Sequence, residues 1–432
     1  MAIFRPFAAV RPAADFAEKV AALPYDVMTS EEARVMVSDD PWSFLHVDRA
    51  EIDLPVGTDP YSDEVYARAK ANLEGLCADG ALIQDAEPSY YIYRLTWQGV
   101  SQAGLVGCAS IDDYLNDLIK KHELTRAEKE EDRIRHVDIL DANTGPIFLA
   151  CKEEVGLGPL LDARMAVDEK LYDFTTDDGV RHEVWRVGDA GFLSASALTQ
   201  ASTALYIADG HHRCASAVRV GQRRREQHPG YTGDEEFNYF LAVVFPEEQL
   251  RILDYNRVVL DLNGLSKEAF LDAVARAAEC RPYNADDGDG NAGGAAFCRP
   301  PIAPTQKHEF TMYLDGGWYR LTAGPGTRDD TDPVASLDVS ILQENLLAPV
   351  LGIADPRTDR RIDFVGGIRG LGELERRVDE ADAAGADHAV AFALYPTQMT
   401  DLIAVADAGR IMPPKSTWFE PKLRSGLFIH RL

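Results

Sequence analysis

The sequence predicts an α+β protein in which mixed β-sheets are flanked by helices and a C-terminal α/β unit follows. Residues 61–80 carry apolar side chains at helical spacing, which predicts a long amphipathic helix. Residues 89–97 and 101–111 are aromatic and apolar runs on either side of Gly99, which is the pattern of a β-hairpin. The continuous apolar run at residues 240–245 is typical of a buried strand.

A change of composition divides the chain. Residues 285–294 consist only of Ala, Asp, Gly and Asn, which is typical of a flexible tip or a linker. The predicted organisation is therefore a main α+β domain over residues 1–284, a linker or loop over residues 285–305 and a C-terminal α/β unit over residues 306–432. A length of 432 residues is consistent with two such parts.

Shorter patterns predict further elements in chain order. Residues 42–47 alternate like a strand, and Thr125 with Glu128 forms the pattern of a capping box at a helix start. Residues 221–236 are polar and predict a loop, whereas the apolar residues 389–394 predict another buried strand.

The net charge narrows the possible partners. With 71 acidic and 44 basic residues the formal charge is -27, so the surface repels nucleic-acid backbones and general nucleic-acid binding is not expected. A small anionic ligand in a local basic pocket remains compatible with this charge. The expected partners are a small-molecule substrate and a nucleotide, and the sequence does not indicate an oligomeric state.

Cysteine usage and hydropathy indicate the compartment. The six cysteines are widely spread and form no C-x-x-C pair, which argues against a zinc ribbon and against a disulfide scaffold. The N-terminus lacks the apolar core of a signal peptide, and no run has the apolar length of a membrane span. We therefore expect a cytoplasmic protein without a membrane partner.

The strongest functional signal is the turn of residues 209–213, which follows an apolar strand pattern and precedes a helical one. The N–H groups that start a helix lack partners within it and attract anions, and Gly210 permits close approach of a ligand. His211, His212 and Arg213 add donors, while Asp209 could cap the helix or hold a metal ion. All five residues are predicted to bind phosphate or nucleotide. The alternative is a capped turn with a surface pair of histidines.

Three further polar side chains lie at predicted element boundaries, where functional groups are often displayed. His122 and Glu123 precede the capping-box helix, and Asp26 follows a short helical pattern. On the predicted helix that follows Thr125, Arg133 and His136 could face a polar cleft. A solvated face with ion pairs is an equally good interpretation.

The loop of residues 412–422 carries two lysines and two hydroxyl groups among prolines, a composition that suits an anion clamp. Lys415, Ser416 and Thr417 are accordingly predicted to bind phosphate. A plain surface loop is the alternative.

Taken together, these motifs resemble the bacterial and archaeal family known as domain of unknown function 1015. The resemblance covers nearly the whole chain and is carried by residues 5–7, 24–27, 43–47, 121–125, 143–146, 208–213 and 414–417. The family name records that its function is not settled.

A shorter resemblance is more informative about chemistry. The turn of residues 209–213 is similar to the Gly-x-His-Arg or Gly-x-Arg-Arg turn of the ParB/sulfiredoxin superfamily, which includes free-serine kinases. In that group the turn heads a helix and holds nucleotide phosphates. The resemblance implies a ParB/sulfiredoxin-like core with Gly210, His211, His212 and Arg213 as phosphate ligands, although this chain is much longer than a single such domain.

The resulting hypothesis is a small-molecule phosphotransferase, such as a kinase of free serine or of a similar hydroxylated metabolite, that uses Mg²⁺ with ATP or ADP. Glu123 is the first choice for the catalytic base and Asp26 the second, with His122 as a further catalytic candidate. One alternative is a metal-dependent hydrolase with Asp209, His211 and His212 as ligands. Another is a nucleotide-binding regulatory protein without turnover.

Overall fold

The computed structural model describes residues 3–188, 204–283 and 302–432. The chain divides into two compact units, which we call the main unit (Met1–Leu250 with Pro421–Leu432) and the second unit (Arg251–Glu420). The division at residues 284 and 306 that the sequence indicates stays a prediction. Most of the predicted linker, including the whole Asp- and Gly-rich stretch, lies outside the described residues.

The β-strands are numbered in chain order through both units. In Met1–Leu250 they are Phe4–Arg5 (β1), Val10–Pro12 (β2), Leu82–Gln84 (β3), Tyr90–Trp97 (β4), Val100–Ser110 (β5), Ile119–Lys120 (β6), Ala142–Asn143 (β7), Ile147–Cys151 (β8), Glu169–Thr175 (β9), Arg181–Val187 (β10), Leu205–Asp209 (β11) and Tyr239–Pro246 (β12). In Arg251–Glu420 they are Ile252–Leu253 (β13), Tyr255–Val259 (β14), Ala278–Pro282 (β15), Glu309–Leu314 (β16), Gly317–Ala323 (β17), Ile362–Gly366 (β18), Val390–Leu394 (β19) and Trp418–Phe419 (β20). His430–Arg431 (β21) returns to the main unit.

The α-helices of the main unit are Ala17–Val20 (α1), Ser30–Met36 (α2), Leu45–Asp48 (α3), Asp63–Ala78 (α4), Ile111–Leu115 (α5), Ala127–Leu140 (α6), Leu157–Met165 (α7) and His211–Gln227 (α8). Those of the second unit are Lys267–Ala277 (α9), Asp338–Leu342 (α10), Gly372–Ala383 (α11) and Met399–Asp407 (α12). A π-helical turn, Gln343–Leu347, continues α10.

The main unit is built on a mixed sheet with the strand order β6-β11-β8-β12-β5-β4-β10-β9, and β1 adds to β5. The pairs β6/β11 and β8/β12 are parallel, and the remaining pairs are antiparallel. Apolar side chains of β5, β8, β11 and β12 pack against α7 and α8 to form its core. A second core joins α3 and α4 to β2 and β3. This arrangement confirms the predicted α+β class.

The second unit contains an antiparallel sheet with the order β15-β17-β16-β19-β14-β18. Its core includes Val258, Trp318 and Val365 from the sheet, and Leu374 and Val378 from α11.

Three local predictions were wrong. Residues 42–47 do not form a strand; α3 occupies Leu45–Asp48, with both of its faces in contact with the core. The segment from residue 221 onward is not all loop, because α8 continues to Gln227. The capping box is absent, since Arg126 is the N-cap of α6 and the Thr125 hydroxyl donates to the Glu130 carboxylate at 2.7 Å.

Within the described ranges, none of the helices combines the length and the apolar character that crossing a membrane requires.

Candidate functional site

The turn of residues 209–213 joins the end of β11 to the start of α8. The pairing of β11 with β8 shifts register between Ile207 and Asp209, so regular pairing ends just before the turn. Gly210 is the N-cap residue of α8 and has a φ of 91°. It has no side chain to cap the helix, so this helix start offers N–H groups without a side-chain acceptor. Asp209 therefore does not cap α8; its Oδ1 accepts the Gly210 N–H at 2.8 Å.

Arg213 lies between two glycine turns. Its Nη1 donates to the Pro146 carbonyl at 2.6 Å. A Cβ atom on Gly210 would lie 3.1 Å from both Nε and Nη2 of Arg213, and one on Gly145 would lie 3.4 Å from Nη1. The guanidinium group is therefore folded back over the start of α8. Its other donors have no acceptor within the described part of the chain.

Asp209 forms an ion pair with a residue from the far end of the sequence. The Lys422 Nζ lies 2.9 Å from Asp209 Oδ2, and the Lys422 side chain is only 11% exposed. Burial acts to raise the pKa of the Asp209 carboxyl, but the charges of Lys422 and Arg213 outweigh burial and hold that pKa well below its ordinary value. Asp209 is therefore a carboxylate at neutral pH.

His122 and His211 form a buried pair beside the turn. Their rings meet edge to face, with centroids 4.4 Å apart. Burial lowers the pKa of His122 to about 4, although Asp209 and the Ile207 backbone act to raise it. Neither ring nitrogen of His122 makes a well-formed hydrogen bond among the described residues. Burial and then His122 hold the pKa of His211 well below its ordinary value. Both imidazoles are therefore neutral at pH 7.

The contacts of His211 indicate its tautomer. Its Nε2 faces the backbone N–H of His122 at 3.5 Å and acts as an acceptor. Its Nδ1 lies 3.8 Å from the Glu123 carboxylate, which is about half exposed. This arrangement places the ring proton on Nδ1, toward Glu123.

His212 and Asp26 lie on another side of the helix start. Burial and then the charge of Lys129 lower the pKa of His212, while the negative charge of Asp26 acts in the opposite direction. The Nδ1 atom of His212 is buried without a hydrogen-bond partner among the described residues. Asp26 is exposed.

Two cavities of the main unit share part of their walls, and only the smaller one is lined by a residue of the turn. The larger has a volume of about 270 Å³ and includes Asp26 in its wall. The smaller has a volume of about 30 Å³ and includes Arg213. Both are lined by Tyr25, Asp48, Arg133 and His136, so the same four side chains separate them.

Arg133 is the charged centre of this shared wall. Its Nε and Nη2 lie 2.9 and 2.8 Å from Asp132 Oδ2, and its guanidinium carbon lies 4.1 Å from the centroid of the Tyr25 ring. Burial works against the charged form, but Asp132 outweighs it and raises the pKa of Arg133. The polar-cleft interpretation of α6 therefore agrees with where Arg133 and His136 lie.

Lys415, Ser416 and Thr417 belong to the second unit. Lys415 is exposed, with its Nζ 5.3 Å from the centroid of the Tyr255 ring. Ser416 is buried and donates its hydroxyl to the Pro413 carbonyl at 2.6 Å. Thr417 is partly exposed. Their assignment to phosphate binding stays a prediction.

Among the described residues, no group of three or more His, Cys, Asp or Glu side chains has a geometry that could hold a metal ion. Asp209 instead contacts Lys422 and the Gly210 N–H, and His211 contacts His122 and lies near Glu123.

Sequence reasoning missed two contributors to the site. It selected Lys415 from the loop of residues 412–422 and passed over Lys422 at the end of that loop. It also passed over Asp48, whose Oδ1 accepts the Thr144 hydroxyl at 2.9 Å. A carboxylate on the turn requires a nearby cation, and Lys422 was an available basic residue, but the chain order gives no indication that residues 209 and 422 meet.

Comparisons with known proteins identify the family and no established function. No curated protein matches the chain. Among solved structures, a free serine kinase variant in complex with AMP is 12% identical, with a TM-score of 0.33 over 74% of this chain and 90% of that chain. A conserved hypothetical protein from Pyrococcus furiosus is 12% identical, with a TM-score of 0.33 over 74% and 92%. C-terminally truncated SbnI from Staphylococcus aureus is 12% identical, with a TM-score of 0.34 over 74% and 85%.

Similarity at this level carries no argument about this chain, so the ParB/sulfiredoxin-like core stays a prediction. The family comparison is decisive by contrast, because the profile described as "Protein of unknown function (DUF1015)" matches residues 4–340, well over half of the sequence. The chain belongs to the DUF1015 family.

Proposed function

We propose that the main unit is a nucleotide-binding phosphotransferase that holds phosphate at the turn of residues 209–213 and transfers a phosphoryl group to a small hydroxylated metabolite. The observation that carries this proposal is the placement of Arg213. Its guanidinium group lies over the glycine-capped start of α8 and also lines the smaller cavity.

Two sources of positive potential act on this turn: the start of α8 and Arg213. The first N–H groups of α8 have no acceptor within the helix, and the dipole of a 17-residue helix adds partial positive charge there. Arg213 supplies a full charge and planar donors suited to phosphate. A phosphate group at this position would accept from both the backbone and the guanidinium group.

The larger cavity is the proposed site of the phosphoryl acceptor. Its volume of about 270 Å³ suits a small metabolite, and it shares four wall residues with the cavity that Arg213 lines. Free serine is the acceptor that the resemblance of the turn suggests. Arg133 and Tyr25 would hold its polar groups from the shared wall.

Two carboxylates remain candidates for the base that receives the hydroxyl proton. Asp26 is exposed and lines the larger cavity, which favours it for contact with an acceptor there. Glu123 lies near His211 and does not line that cavity. The ring of His122 packs edge to face against that of His211 and would act by holding His211 in place.

The expected cofactors are Mg²⁺ and ATP or ADP. A magnesium ion bound with phosphates needs one or two protein carboxylates, and it would supply charge neutralisation during transfer. Asp26 is the exposed carboxylate of the larger cavity that could hold the ion, and in that case Glu123 is the remaining candidate for the base.

Equilibrium binding of ADP, AMP and pyrophosphate in the presence of Mg²⁺ tests the proposal. Wild type should bind ADP, and Arg213→Ala should weaken binding roughly 30-fold or more because it removes a charge-assisted contact. Arg219→Ala is the matched control. Arg219 lies on the same helix with its side chain 63% exposed, and its replacement should leave the dissociation constant unchanged.

Turnover distinguishes an enzyme from a binding protein. Donor consumption that depends on L-serine or a related alcohol, and that is lost in Asp26→Asn, would support the phosphotransferase. Nucleotide binding without turnover of any tested alcohol would favour the regulatory alternative. If wild type binds neither ADP nor pyrophosphate, the phosphate site itself is disproved.

A further inference from the structure

Residues 421–426 form a third side of the site. The Gly426 N–H donates to the Thr144 carbonyl at 3.3 Å, and a Cβ atom on Gly145 would lie 3.1 Å from the Ser425 Oγ. Lys422 reaches the turn itself through Asp209. The segment therefore meets both glycine turns that enclose Arg213.

The position of Asp209 raises an electrostatic difficulty for any anion at this turn. Its carboxylate immediately precedes the start of α8, where a phosphate would bind. Two like charges a few ångströms apart repel strongly in a partly buried site, because water screens them poorly. An uncompensated Asp209 would thus cancel much of the attraction from Arg213 and the helix.

Lys422 supplies the compensation. Its Nζ is 2.9 Å from Oδ2, while Oδ1 is occupied by the Gly210 N–H. Both carboxylate oxygens are therefore engaged by donors. With the pair formed, Asp209 is neutralised locally, and Arg213 and the helix dipole can attract an anion to the start of α8.

We propose that Lys422 is a positioning residue that neutralises Asp209 and thereby allows the turn of residues 209–213 to bind the phosphates of a nucleoside diphosphate. The inference rests on the proposed function and adds a requirement to it. The anion site is then completed by residues 421–426, which belong to the main unit but follow the second unit in the sequence.

Binding of ADP and of pyrophosphate to Lys422→Met, Asp209→Asn and the double variant tests this role. Lys422→Met should weaken both ligands on the order of 30-fold, because it leaves an unpaired carboxylate beside the phosphates. Asp209→Asn should bind at least as tightly as wild type. The double variant should recover to within about threefold of Asp209→Asn, since the charge that Lys422 compensates is gone.

Two further variants separate charge from folding. Lys422→Arg keeps the positive charge and should bind within a few-fold of wild type. Lys170→Met is the matched control, because Lys170 also pairs with carboxylates in the main unit, at 2.8 Å from Glu183 and 3.0 Å from Asp173. It should not change the affinity for either ligand.

The double variant is decisive. If it binds as weakly as Lys422→Met, Lys422 acts on the ligand directly or through the fold, and the compensation role is wrong. It is equally wrong if Lys422→Met binds like wild type. Failure of wild type to bind either probe would instead overturn the proposed function and, with it, this inference.

Discussion

Two polar clusters of the main unit contain similar residues and differ in how completely those residues are bonded. The turn cluster consists of Asp209, Arg213, His122, His211 and Lys422. The hairpin cluster consists of Tyr93, Thr176, Asp178, His182 and Arg424, around the turn between β9 and β10. Each has an acid, an arginine and at least one buried histidine.

In the hairpin cluster, the histidine is fully bonded. His182 Nδ1 lies 2.7 Å from the Tyr93 hydroxyl, and its Nε2 lies 3.1 Å from Thr176 Oγ1 and 3.4 Å from Arg424 Nε. Arg424 also donates to Thr176 and Asp178. In the turn cluster, His122 has no well-formed bond at either ring nitrogen, and Arg213 makes a single hydrogen bond among the described residues.

This difference separates two uses of the same chemistry. Buried polar groups that satisfy one another stabilise a fold, whereas unused donors beside a cavity are available to a ligand. The hairpin cluster is therefore expected to govern stability and the turn cluster to govern binding.

The largest expected effect is on acid stability. Burial and then Arg424 lower the pKa of His182 to about 3, whereas an unfolded histidine titrates near its ordinary value of about 6.5. Below that ordinary value the unfolded chain takes up a proton that the folded chain does not. The stability that the neutral His182 contributes to the folded state is thus fully present above about pH 6.5. As the pH falls to 4, the free energy of unfolding decreases by about 3 kcal/mol.

Urea unfolding at pH 7 and pH 4 measures this contribution. His182→Gln should be less stable than wild type at pH 7, because it loses hydrogen bonds, but its further loss at pH 4 should be smaller by about 3 kcal/mol. His228→Gln, at an exposed position, should retain the wild-type pH dependence. An unchanged pH dependence in His182→Gln would show that this histidine is not held neutral.

The second prediction compares the same substitution at one arginine of each cluster. Arg424→Met should lower the free energy of unfolding by about 2 kcal/mol, since it removes the buried guanidinium group that donates to Thr176, Asp178 and His182. It should leave the affinity for ADP unaltered. Arg213→Met should lower stability by about 1 kcal/mol, the value of one hydrogen bond, and should weaken ADP binding strongly.

Urea denaturation and calorimetric titration of the same two variants provide the comparison. The distinction between the clusters does not hold if Arg424→Met weakens ADP binding as much as Arg213→Met does, at a temperature where both remain folded.

The smallest effect is expected from two glycines. Gly210 and Gly179 both have positive φ, at 91° and 77°, but a Cβ atom on Gly179 would contact nothing within 4 Å. Alanine at either position should cost about 1 kcal/mol of backbone strain. Only Gly210→Ala should also weaken pyrophosphate binding, because its Cβ would displace the Arg213 guanidinium group.

Thermal unfolding and pyrophosphate titration of the two alanine variants measure these effects separately. Equal pyrophosphate affinities for Gly210→Ala and Gly179→Ala would mean that the position of the Arg213 guanidinium group does not matter for binding.

Local sequence patterns were sufficient where a segment's neighbours in the chain determine its structure. The predicted helix at residues 61–80 is α4, and the predicted hairpin is β4 with β5, because periodicity and a glycine turn are local properties. The strand–turn–helix geometry of residues 205–213 was predicted for the same reason.

The wrong predictions have tertiary causes. Phe44, Leu45 and Val47 are all buried, so their pattern has no solvent face by which a helix could be told from a strand. The last turn of α8 has the polar, basic composition that is typical of a loop. In the structure, however, Arg225 lies 2.7 Å from Asp112, and Arg224 forms an ion pair with Asp141. Ion pairs to other elements hold this part of the helix in place.

The candidate site was predictable only in part for a similar reason. The sequence singled out residues 209–213, but the partner of Asp209 lies 213 positions away. No spacing rule connects residues that far apart.

The return of Pro421–Leu432 to the main unit has a consequence for biosynthesis. During translation, Met1–Leu250 leaves the ribosome long before these residues, and the second unit, which is continuous in sequence, can fold in between. Until translation reaches the C-terminal segment, the main unit lacks Lys422, Arg424 and β21, the strand that pairs with β7. A chain released before residue 421 would carry the whole 209–213 turn and yet lack the cation that pairs with Asp209.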